Sequence, residues 1–284
     1  MATLDSQLLE NITTHVTLSL QEDIGSGDIT AQLIPESNTL TATVISREPA
    51  VLCGQAWVNE VFKQLDPSVE VSWLANEGEL LEANSPFLTL KGNARSILTG
   101  ERTALNYLQM LSYTATVSKK YADLVNNQAL TILDTRKTIP SFRLAQKYAV
   151  TVGGAANHRI GLYDAFLIKE NHIMAAGSIS AAVEQAKIIA PGKPIEVETE
   201  NLDEVAQAAN AGATIIMLDN FSLEDMSTAV NQYGDKVKFE ASGNMTDEHI
   251  KDVAATGVDY ISVGALTKHV IAIDLSLRVI KENH

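Results

Sequence analysis

Positively charged side chains that could bind a small anion lie at or near the ends of the first two of six short apolar runs in this sequence. Arg136 and Lys137 end the first run, Lys169 lies near the end of the second, and His158 and Arg159 lie between the two. Arginine presents paired planar N–H donors and lysine a compact charge, and both bind carboxylates or phosphates. We therefore predict a binding site for a small, highly charged anion.

Carboxylates occupy the ends of the next runs. Glu198 and Asp219 offer hard oxygen ligands, which suit Mg²⁺ on a polyphosphate because this ion prefers a few carboxylates and retained water. Small residues at 242–244 and 263–265 end the last two runs, where backbone N–H groups before a helix form a phosphate cradle. A structural salt bridge is the commoner explanation for any single charge, but the whole group favours a functional site.

The six apolar runs are typical of buried parallel strands, because polar residues appear mainly at their ends. They span 131–137, 164–171, 195–200, 214–220, 237–244 and 260–266. Helix-like stretches separate the last four runs; a capping side chain (Asn201, Ser222 or Thr246) opens each stretch and a glycine closes it. Six units are too few for the closed eight-stranded barrel.

We therefore predict an irregular, open (β/α) barrel of about six to seven parallel strands, with an open doubly wound sheet as the alternative. In both architectures the carboxyl ends of the strands form the ligand-binding face. The charged and glycine-containing ends of the runs are thus expected to meet around one mouth.

The chain before about residue 95 has the pattern of a mixed α+β unit, since Val69, Val71 and Trp73 alternate with polar residues. A long helix is predicted from roughly Arg95 to Asn126, with an apolar stripe and a polar stripe. The apolar stripe is Ala104, Leu108, Leu111 and Ala115, and the polar stripe is Arg102, Asn106 and Gln109. We predict an N-terminal α+β sandwich domain at 1–112, joined by a returning strand or helix at 270–284, and a barrel domain at 113–269.

Charge is unevenly distributed over the 284 residues. The chain has 21 Lys and Arg against 35 Asp and Glu, a formal net charge of −14, which argues against broad binding to nucleic acid or anionic membranes. Residues 91–169 contain eleven basic and four acidic residues and are therefore net positive. This segment is either a cationic site or a solvated basic face that balances acidic neighbours.

Several features favour the cytoplasm. The longest stretch without charged residues, 103–118, has 16 residues with polar interruptions, which is short of a membrane span. No Lys or Arg precedes Arg47, so we expect no secretory or transit signal at the start of this sequence. The single cysteine, Cys53, cannot form an internal disulfide. Walker A, complete dinucleotide-binding and zinc-ligand spacings are absent from the sequence.

In order along nearly the whole chain, the sequence resembles the quinolinate phosphoribosyltransferase family, also called nicotinate-nucleotide pyrophosphorylase (carboxylating). The resemblance rests mainly on the TRKT and NHR…KEN blocks. The matching segments are EDIGSGDIT (22–30), GERTALNYLQ (100–109), LDTRKTIP (133–140), GGAANHRIGLYDAFLIKENHI (153–173), EVE (196–198), MLDN (217–220), FEASGN (239–244) and ISVGALTKH (261–269). Ser141 and Phe142 stand where many members have Gly-Leu, and Ala155 where a third glycine is frequent.

This resemblance implies a homodimeric enzyme that converts quinolinate and phosphoribosyl pyrophosphate to nicotinate mononucleotide, pyrophosphate and CO₂ with Mg²⁺. By motif, the quinolinate pocket would be lined by Thr135, Arg136, Lys137, His158, Arg159 and Lys169, with Arg102 entering from the other subunit. Glu198 and Asp219 would face the metal, the pyrophosphate and the ribose. The 5′-phosphate would be held by Ser242, Gly243, Asn244, Val263, Gly264 and Ala265; roles for Lys268 and His269 stay open.

Three other functions compete with this one. The first is a related phosphoribosyltransferase that acts on a different acceptor. The second is an aldolase-type lyase in which Lys169 forms a Schiff base, which requires surroundings that lower the lysine pKa. The third is a sensor that binds phosphoribosyl ligands without turnover.

Overall fold

The structure is a computed structural model that describes residues 4–125, 129–243 and 245–280. From the N-terminus to the long helix, the elements are α1 Ser6–Ile24, β1 Thr39–Ser46, β2 Ala50–Val51, α2 Gln55–Leu65, β3 Glu70–Trp73, β4 Leu80–Leu81, β5 Pro86–Asn93 and α3 Ala94–Leu124. They are followed by β6 Thr131–Leu133, α4 Arg143–Val152, β7 Phe166–Ile168, α5 Glu170–Ala176, α6 Ile179–Ile189, β8 Ile195–Thr199, α7 Leu202–Ala211, β9 Ile215–Asp219, α8 Leu223–Tyr233, β10 Lys238–Ser242, α9 Asp247–Ala254, β11 Tyr260–Ser262, α10 Ala265–Lys268 and β12 Leu275–Val279. The chain forms two compact units, one of residues 1–119, 140–154 and 269–284, and the other of residues 120–139 and 155–268.

The first unit contains an antiparallel sheet in the order β12-β1-β5-β3 and a short β2-β4 pair. The C-terminal segment, which the sequence assigns to either a strand or a helix, is the edge strand β12. The apolar stripe of α3 is buried, as predicted, in a core that includes Trp57 and Phe62. Asn126, the predicted end of this helix, lies outside the described residues.

Helix α4 lies against α3 in this unit, and two backbone positions around it are tightly constrained. A Cβ at Gly153 would lie 2.2 Å from the carbonyl oxygen of Ala115, so only glycine permits this approach. Ser141, before the helix, has a φ of 63°. That left-handed conformation costs a side chain roughly 1–2 kcal/mol relative to glycine, so this serine strains the backbone.

The second unit is built on a parallel six-stranded sheet in the order β6-β11-β10-β9-β8-β7. Its strands lie within the six apolar runs. The two edge strands of this sheet are β6 and β7. The predicted α/β fold, with parallel strands here and an antiparallel sheet in the N-terminal unit, is confirmed.

Local capping explains where the helices of the second unit begin. The side chains of Asn201, Ser222 and Thr246 accept hydrogen bonds from the N–H groups three residues later, as predicted. Gly212 and Gly234 end the first two of these helices. The third prediction is wrong in detail, because α9 ends at Ala254, before the predicted closing glycine, Gly257.

Helix length and polarity bear on membrane insertion. The long helix α3 has 31 residues but contains several charged side chains, including Arg95, Glu101 and Arg102. Among the described helices, none is both long and apolar enough to cross a bilayer.

The two faces of the parallel sheet have opposite chemistry. Register pairs Glu198 with Met217 and Met217 with Glu240, and side chains alternate along each strand, so these three residues share one face. By the same alternation Glu196, Asp219 and Ser242 lie on that face too. Apart from the polar Thr199 and the partly buried Phe166, the residues of opposite parity are apolar and almost fully buried, and they include Val197, Ile216, Leu218, Phe239 and Ile261. One face therefore packs as a core, and the other carries the chemistry.

Candidate active site

A compact group of opposite charges lies at the carboxyl ends of β7, β8 and β9. Lys169 donates a hydrogen bond through Nζ to Oε2 of Glu198, and both side chains are partly exposed. Burial raises the pKa of Asp219, and the neighbouring Glu198 carboxylate raises it further, while Lys169 and Lys137 oppose the shift. These four predicted site residues thus lie within electrostatic range of one another.

Two arginines of the predicted anion site also lie near each other. Burial lowers the pKa of Arg159, and the positive charge of Arg136 lowers it further, whereas Glu196 and Asp164 oppose the shift. Nε of Arg136 is buried and has no hydrogen-bond partner among the described residues. Two like charges in a partly buried position repel, and an anion that binds both guanidinium groups removes that cost.

The loop after β6 packs against the loop that begins α10. The hydroxyl of Thr267 donates to the carbonyl oxygen of Lys137 at 2.9 Å, and the hydroxyl of Thr135 accepts the Lys137 N–H at 3.1 Å. A Cβ at Gly264 would lie 3.2 Å from Cδ of Lys137. Val263 is buried and donates its N–H to Leu133 at 2.9 Å. The predicted residues of these two loops therefore form one surface, which leads to the half-buried Ala265 at the start of α10.

The ends of β9 and β10 form a second close backbone approach. Asn220 donates its N–H to the carbonyl oxygen of Ser242 at 3.0 Å. Gly243 has a φ of 145°, and a Cβ there would lie 2.7 Å from Oδ1 of Asn220. Only glycine combines this conformation with this contact. The next predicted residue, Asn244, lies outside the described residues.

His158 lies in a buried layer with two carboxylates. Its Nε2 is 2.8 Å from Oε2 of Glu196 and 3.4 Å from Oε2 of Glu240, and these glutamates are 3% and 0% exposed. Its backbone N–H donates to Oδ1 of Asp134 at 2.8 Å. Burial raises the pKa of Glu196 to about 7, and the charge of Glu240 adds to the effect.

Glu196 was not predicted as a site residue, and Glu240, in the run 237–244, was expected among the charged run ends at the mouth; the structure buries both side chains. A usable signal exists for Glu196, because it lies two residues before Glu198 and must therefore face the same side of the strand. The sequence contains no comparable signal that His158 contacts either glutamate.

Two groups of side chains could hold a metal ion. Glu198 and Asp219 are carboxylates on neighbouring strands, an oxygen donor set that fits Mg²⁺, and Glu198 also lines a cleft of about 300 Å³. His158, Glu196 and Glu240 also have ligand atoms within 4.8 Å of one another, but they are buried. The first pair is the better Mg²⁺ site, because this ion keeps several water ligands.

The remaining predicted residues lie elsewhere. Arg102 is exposed on α3 in the first unit. Lys268 is the last residue of α10, and His269 follows it; both are exposed.

The contact of Gly243 with Asn220 generates a stability prediction. We expect Gly243→Ala to lower the free energy of unfolding by about 1–3 kcal/mol, because the new methyl group overlaps an amide oxygen. In an Asn220→Gly background the same substitution removes less stability, since Oδ1 is gone. Urea unfolding of the four proteins measures this coupling. Additive effects within about 0.3 kcal/mol would contradict the contact.

Comparison with known proteins adds a further observation. The family models of the N-terminal and C-terminal domains of quinolinate phosphoribosyl transferase match residues 28–112 and 114–278. A Synechocystis protein described as a probable nicotinate-nucleotide pyrophosphorylase (carboxylating) is 41% identical over 92% of this chain and 90% of its own length.

Solved structures agree with these matches. The nicotinate-nucleotide pyrophosphorylase from Francisella tularensis is 54% identical, with a TM-score of 0.93 over 96% of this chain and 97% of its own. NadC from Streptococcus pyogenes is 36% identical, with a TM-score of 0.92 over 96% and 98%. Both domain models and full-length relatives thus match in sequence and in fold, and the chain belongs to the quinolinate phosphoribosyltransferase family.

Proposed function

We propose that this chain transfers a phosphoribosyl group from phosphoribosyl pyrophosphate to quinolinate and releases CO₂, forming nicotinate mononucleotide for NAD biosynthesis. The observation that carries the proposal is the neighbouring pair Arg136 and Arg159 together with the Lys169, Glu198 and Asp219 group, whose Asp219 also interacts with Lys137, the residue after Arg136. Quinolinate carries two carboxylates, and the pair of guanidinium groups supplies the planar donors that bind them. Family membership supports the same reaction.

The cations neutralise and orient the substrate. Arg136, Arg159 and Lys169 bind the carboxylates of quinolinate, so that its ring nitrogen approaches C1 of the ribose. Positioning of this kind converts a bimolecular encounter into an aligned reaction and supplies much of the rate enhancement. His158 lies behind this surface, where its ring nitrogens contact Glu196 and the backbone of Arg159.

The bond changes need little covalent chemistry from the protein. The ring nitrogen forms a bond to C1 while the bond from C1 to the pyrophosphate oxygen breaks, and that electron pair leaves with pyrophosphate. Glu198 and Asp219 favour the positive charge that develops at the ribosyl centre. The alkylated ring then accepts the electron pair released when the adjacent carboxylate leaves as CO₂, and that ring carbon takes up a proton.

The backbone at the ends of β10 and β11 holds the 5′-phosphate of the second substrate. We assign this phosphate to the loops at Gly243, where close packing excludes larger side chains, and at Gly264, which packs against Lys137. Lys137 adds a positive charge there. Glu198 and Asp219 would hold Mg²⁺, which would supply positive charge that stabilises the departing pyrophosphate.

A Schiff-base lyase is a poorer fit to the site. Lys169 contacts the carboxylate of Glu198, whereas a nucleophilic lysine needs an apolar or cationic neighbourhood. We also propose a cytoplasmic location, because the single cysteine cannot form an internal disulfide.

The proposed reaction is tested with the purified chain, quinolinate, phosphoribosyl pyrophosphate and Mg²⁺. We expect equal amounts of nicotinate mononucleotide, pyrophosphate and CO₂, and no product when nicotinate replaces quinolinate. Excess EDTA should abolish turnover and excess Mg²⁺ restore it; full activity in EDTA contradicts the metal assignment alone. Turnover of nicotinate but not quinolinate indicates a different acceptor, and binding without turnover indicates a sensor.

The anion-binding role of Arg136 predicts a large kinetic defect. We expect Arg136→Ala to lower kcat/KM by about 100-fold or more, because it removes a desolvated charged contact worth about 2–5 kcal/mol. The control is Lys238→Ala, which removes an exposed cation paired with Asp259 at the amino end of β10 and leaves turnover unchanged. Steady-state kinetics with less than a tenfold loss for Arg136→Ala contradicts the role.

We further propose that the enzyme is a homodimer in which Arg102 completes the site of the partner subunit. The proposal is supported by the exposure of Arg102 on the polar stripe of α3. Arg102→Ala and Lys169→Met are each expected to be inactive, whereas a mixture refolded together should regain about a quarter of wild-type activity, since half of the dimers contain one intact site. If the mixture is shown to form dimers but regains no activity, the proposal that Arg102 completes the partner's site is wrong.

A further inference from the structure

We propose that Glu196 and Glu240 are positioning residues that hold Arg159 at the anion site by fixing the ring of His158. The inference rests on the proposed function, because it assigns the two glutamates a part in binding quinolinate. It concerns the buried layer beneath Lys169 and Glu198 rather than the groups that contact substrate.

The first observation is the burial of the two carboxylates. Glu196 is 3% exposed on β8, and Glu240 is 0% exposed on β10. Three of their four carboxylate oxygens have no hydrogen-bond partner among the described residues. Burying carboxylates costs several kcal/mol unless they are paired, so a sequence that keeps two of them here needs a compensating role for them.

The second observation is the orientation of His158. Its Nε2 faces both carboxylates, at 2.8 Å from Glu196 and 3.4 Å from Glu240. Its Nδ1 accepts the backbone N–H of Arg159 at 2.8 Å. The imidazole ring therefore connects the buried carboxylates on one side to the backbone of Arg159 on the other.

The same contacts fix the ring tautomer. Burial lowers the pKa of His158, but hydrogen bonds and charges from both glutamates outweigh it and favour protonation. A proton on Nδ1 would, however, oppose the Arg159 N–H at 2.8 Å. The short distance between Nδ1 and the Arg159 nitrogen therefore indicates a neutral ring. Its proton is on Nε2, which donates a hydrogen bond to Glu196.

Because the backbone of His158 and Arg159 is fixed, the guanidinium group of Arg159 is held in position. The N–H groups of His158 and Arg159 are both occupied, by Asp134 and by the His158 ring, so the start of this loop is held at two points. The Arg159 side chain donates to the carbonyl oxygen of Ala165 at 3.4 Å and lies near Arg136. Without the carboxylates, the ring is free to turn, and Arg159 loses its fixed position.

The test compares Glu196→Ala, Glu196→Gln and Glu240→Ala with wild type. We expect the alanine variants to raise the KM for quinolinate at least about tenfold, the usual cost of removing a supporting contact, while the KM for phosphoribosyl pyrophosphate changes less than threefold. Glu196→Gln is expected to restore most of the affinity, because its amide oxygen still accepts the Nε2–H. In an Arg159→Ala background, Glu196→Ala should have no further effect on the quinolinate KM, since it acts through Arg159.

The matched control is Thr214→Val, which removes two 2.8 Å hydrogen bonds between the hydroxyl and the backbone of Ile195, directly before Glu196 in β8, while leaving the Glu196 carboxylate in place. It should lower stability and leave both KM values unchanged. If Glu196→Ala changes both KM values equally, or if its effect multiplies with that of Arg159→Ala, the positioning role is wrong.

A readout without turnover separates this inference from the proposed function. Nitrogen-15 shifts of His158 in the substrate-free protein are expected to show protonated Nε2 and bare Nδ1 in wild type and in Glu196→Gln, with loss of that pattern in both alanine variants. A doubly protonated ring overturns the inference even in an active enzyme. A wild-type protein with this tautomer that makes no product contradicts the proposed function alone.

Discussion

Charge on the interior face of a parallel sheet is the constraint on which this site depends. Parallel strands with both faces covered are ordinarily apolar, because an unpaired charge in such a place costs several kcal/mol. Here one face of β7 to β10 carries a lysine and four carboxylates in two layers. The deeper layer pairs Glu196 and Glu240 with a histidine, whereas the outer layer pairs Glu198 with Lys169. Charged groups on one face of the sheet therefore serve the structure where they are buried and the chemistry where they are partly exposed.

The charges of the outer layer are not fully neutralised by other groups of the protein. Burial and the positive charge of Arg136 lower the pKa of Arg159, and burial and Glu198 together raise the pKa of Asp219. Such a surface gains stability when it binds a molecule whose charges complement it. In the proposed reaction, a dianionic pyridine and a pyrophosphate group with its Mg²⁺ would supply those charges, and this complementarity links the charge repulsion in the free site to substrate binding.

Local sequence signals predicted most of the fold because the determinants are local. Apolar runs defined the six parallel strands, and Asn201, Ser222 and Thr246 began helices where a side-chain cap was expected. The end of α9 was missed because no glycine is required there; the helix stops at Ala254 although a glycine follows shortly afterwards. The charged residues at the strand ends were also predictable, since the carboxyl ends of parallel strands share one edge.

The partners of those residues could not be predicted, because each contact joins distant parts of the chain. His158 and Glu196 are 38 residues apart, and only the folded sheet brings them to 2.8 Å. Alternation along β8 predicts that Glu196 lies on the same face as Glu198. It does not predict how deeply Glu196 is buried or which side chain it contacts. The clash that excludes a side chain at Gly243 likewise depends on Asn220, from the preceding strand end.

Side-chain length explains how the two kinds of charge are distributed. Carboxylates are short, so Glu198 and Asp219 must lie on strands, where sheet register fixes their oxygens relative to one another. The arginines are long and lie on loops, where small backbone shifts move a guanidinium group by several ångströms. Anion binding by such groups requires an extra device that fixes the loop, because a flexible side chain loses entropy when it binds. The buried contacts of His158 supply that device in the loop that carries Arg159, and they convert a flexible arginine into a preorganised one.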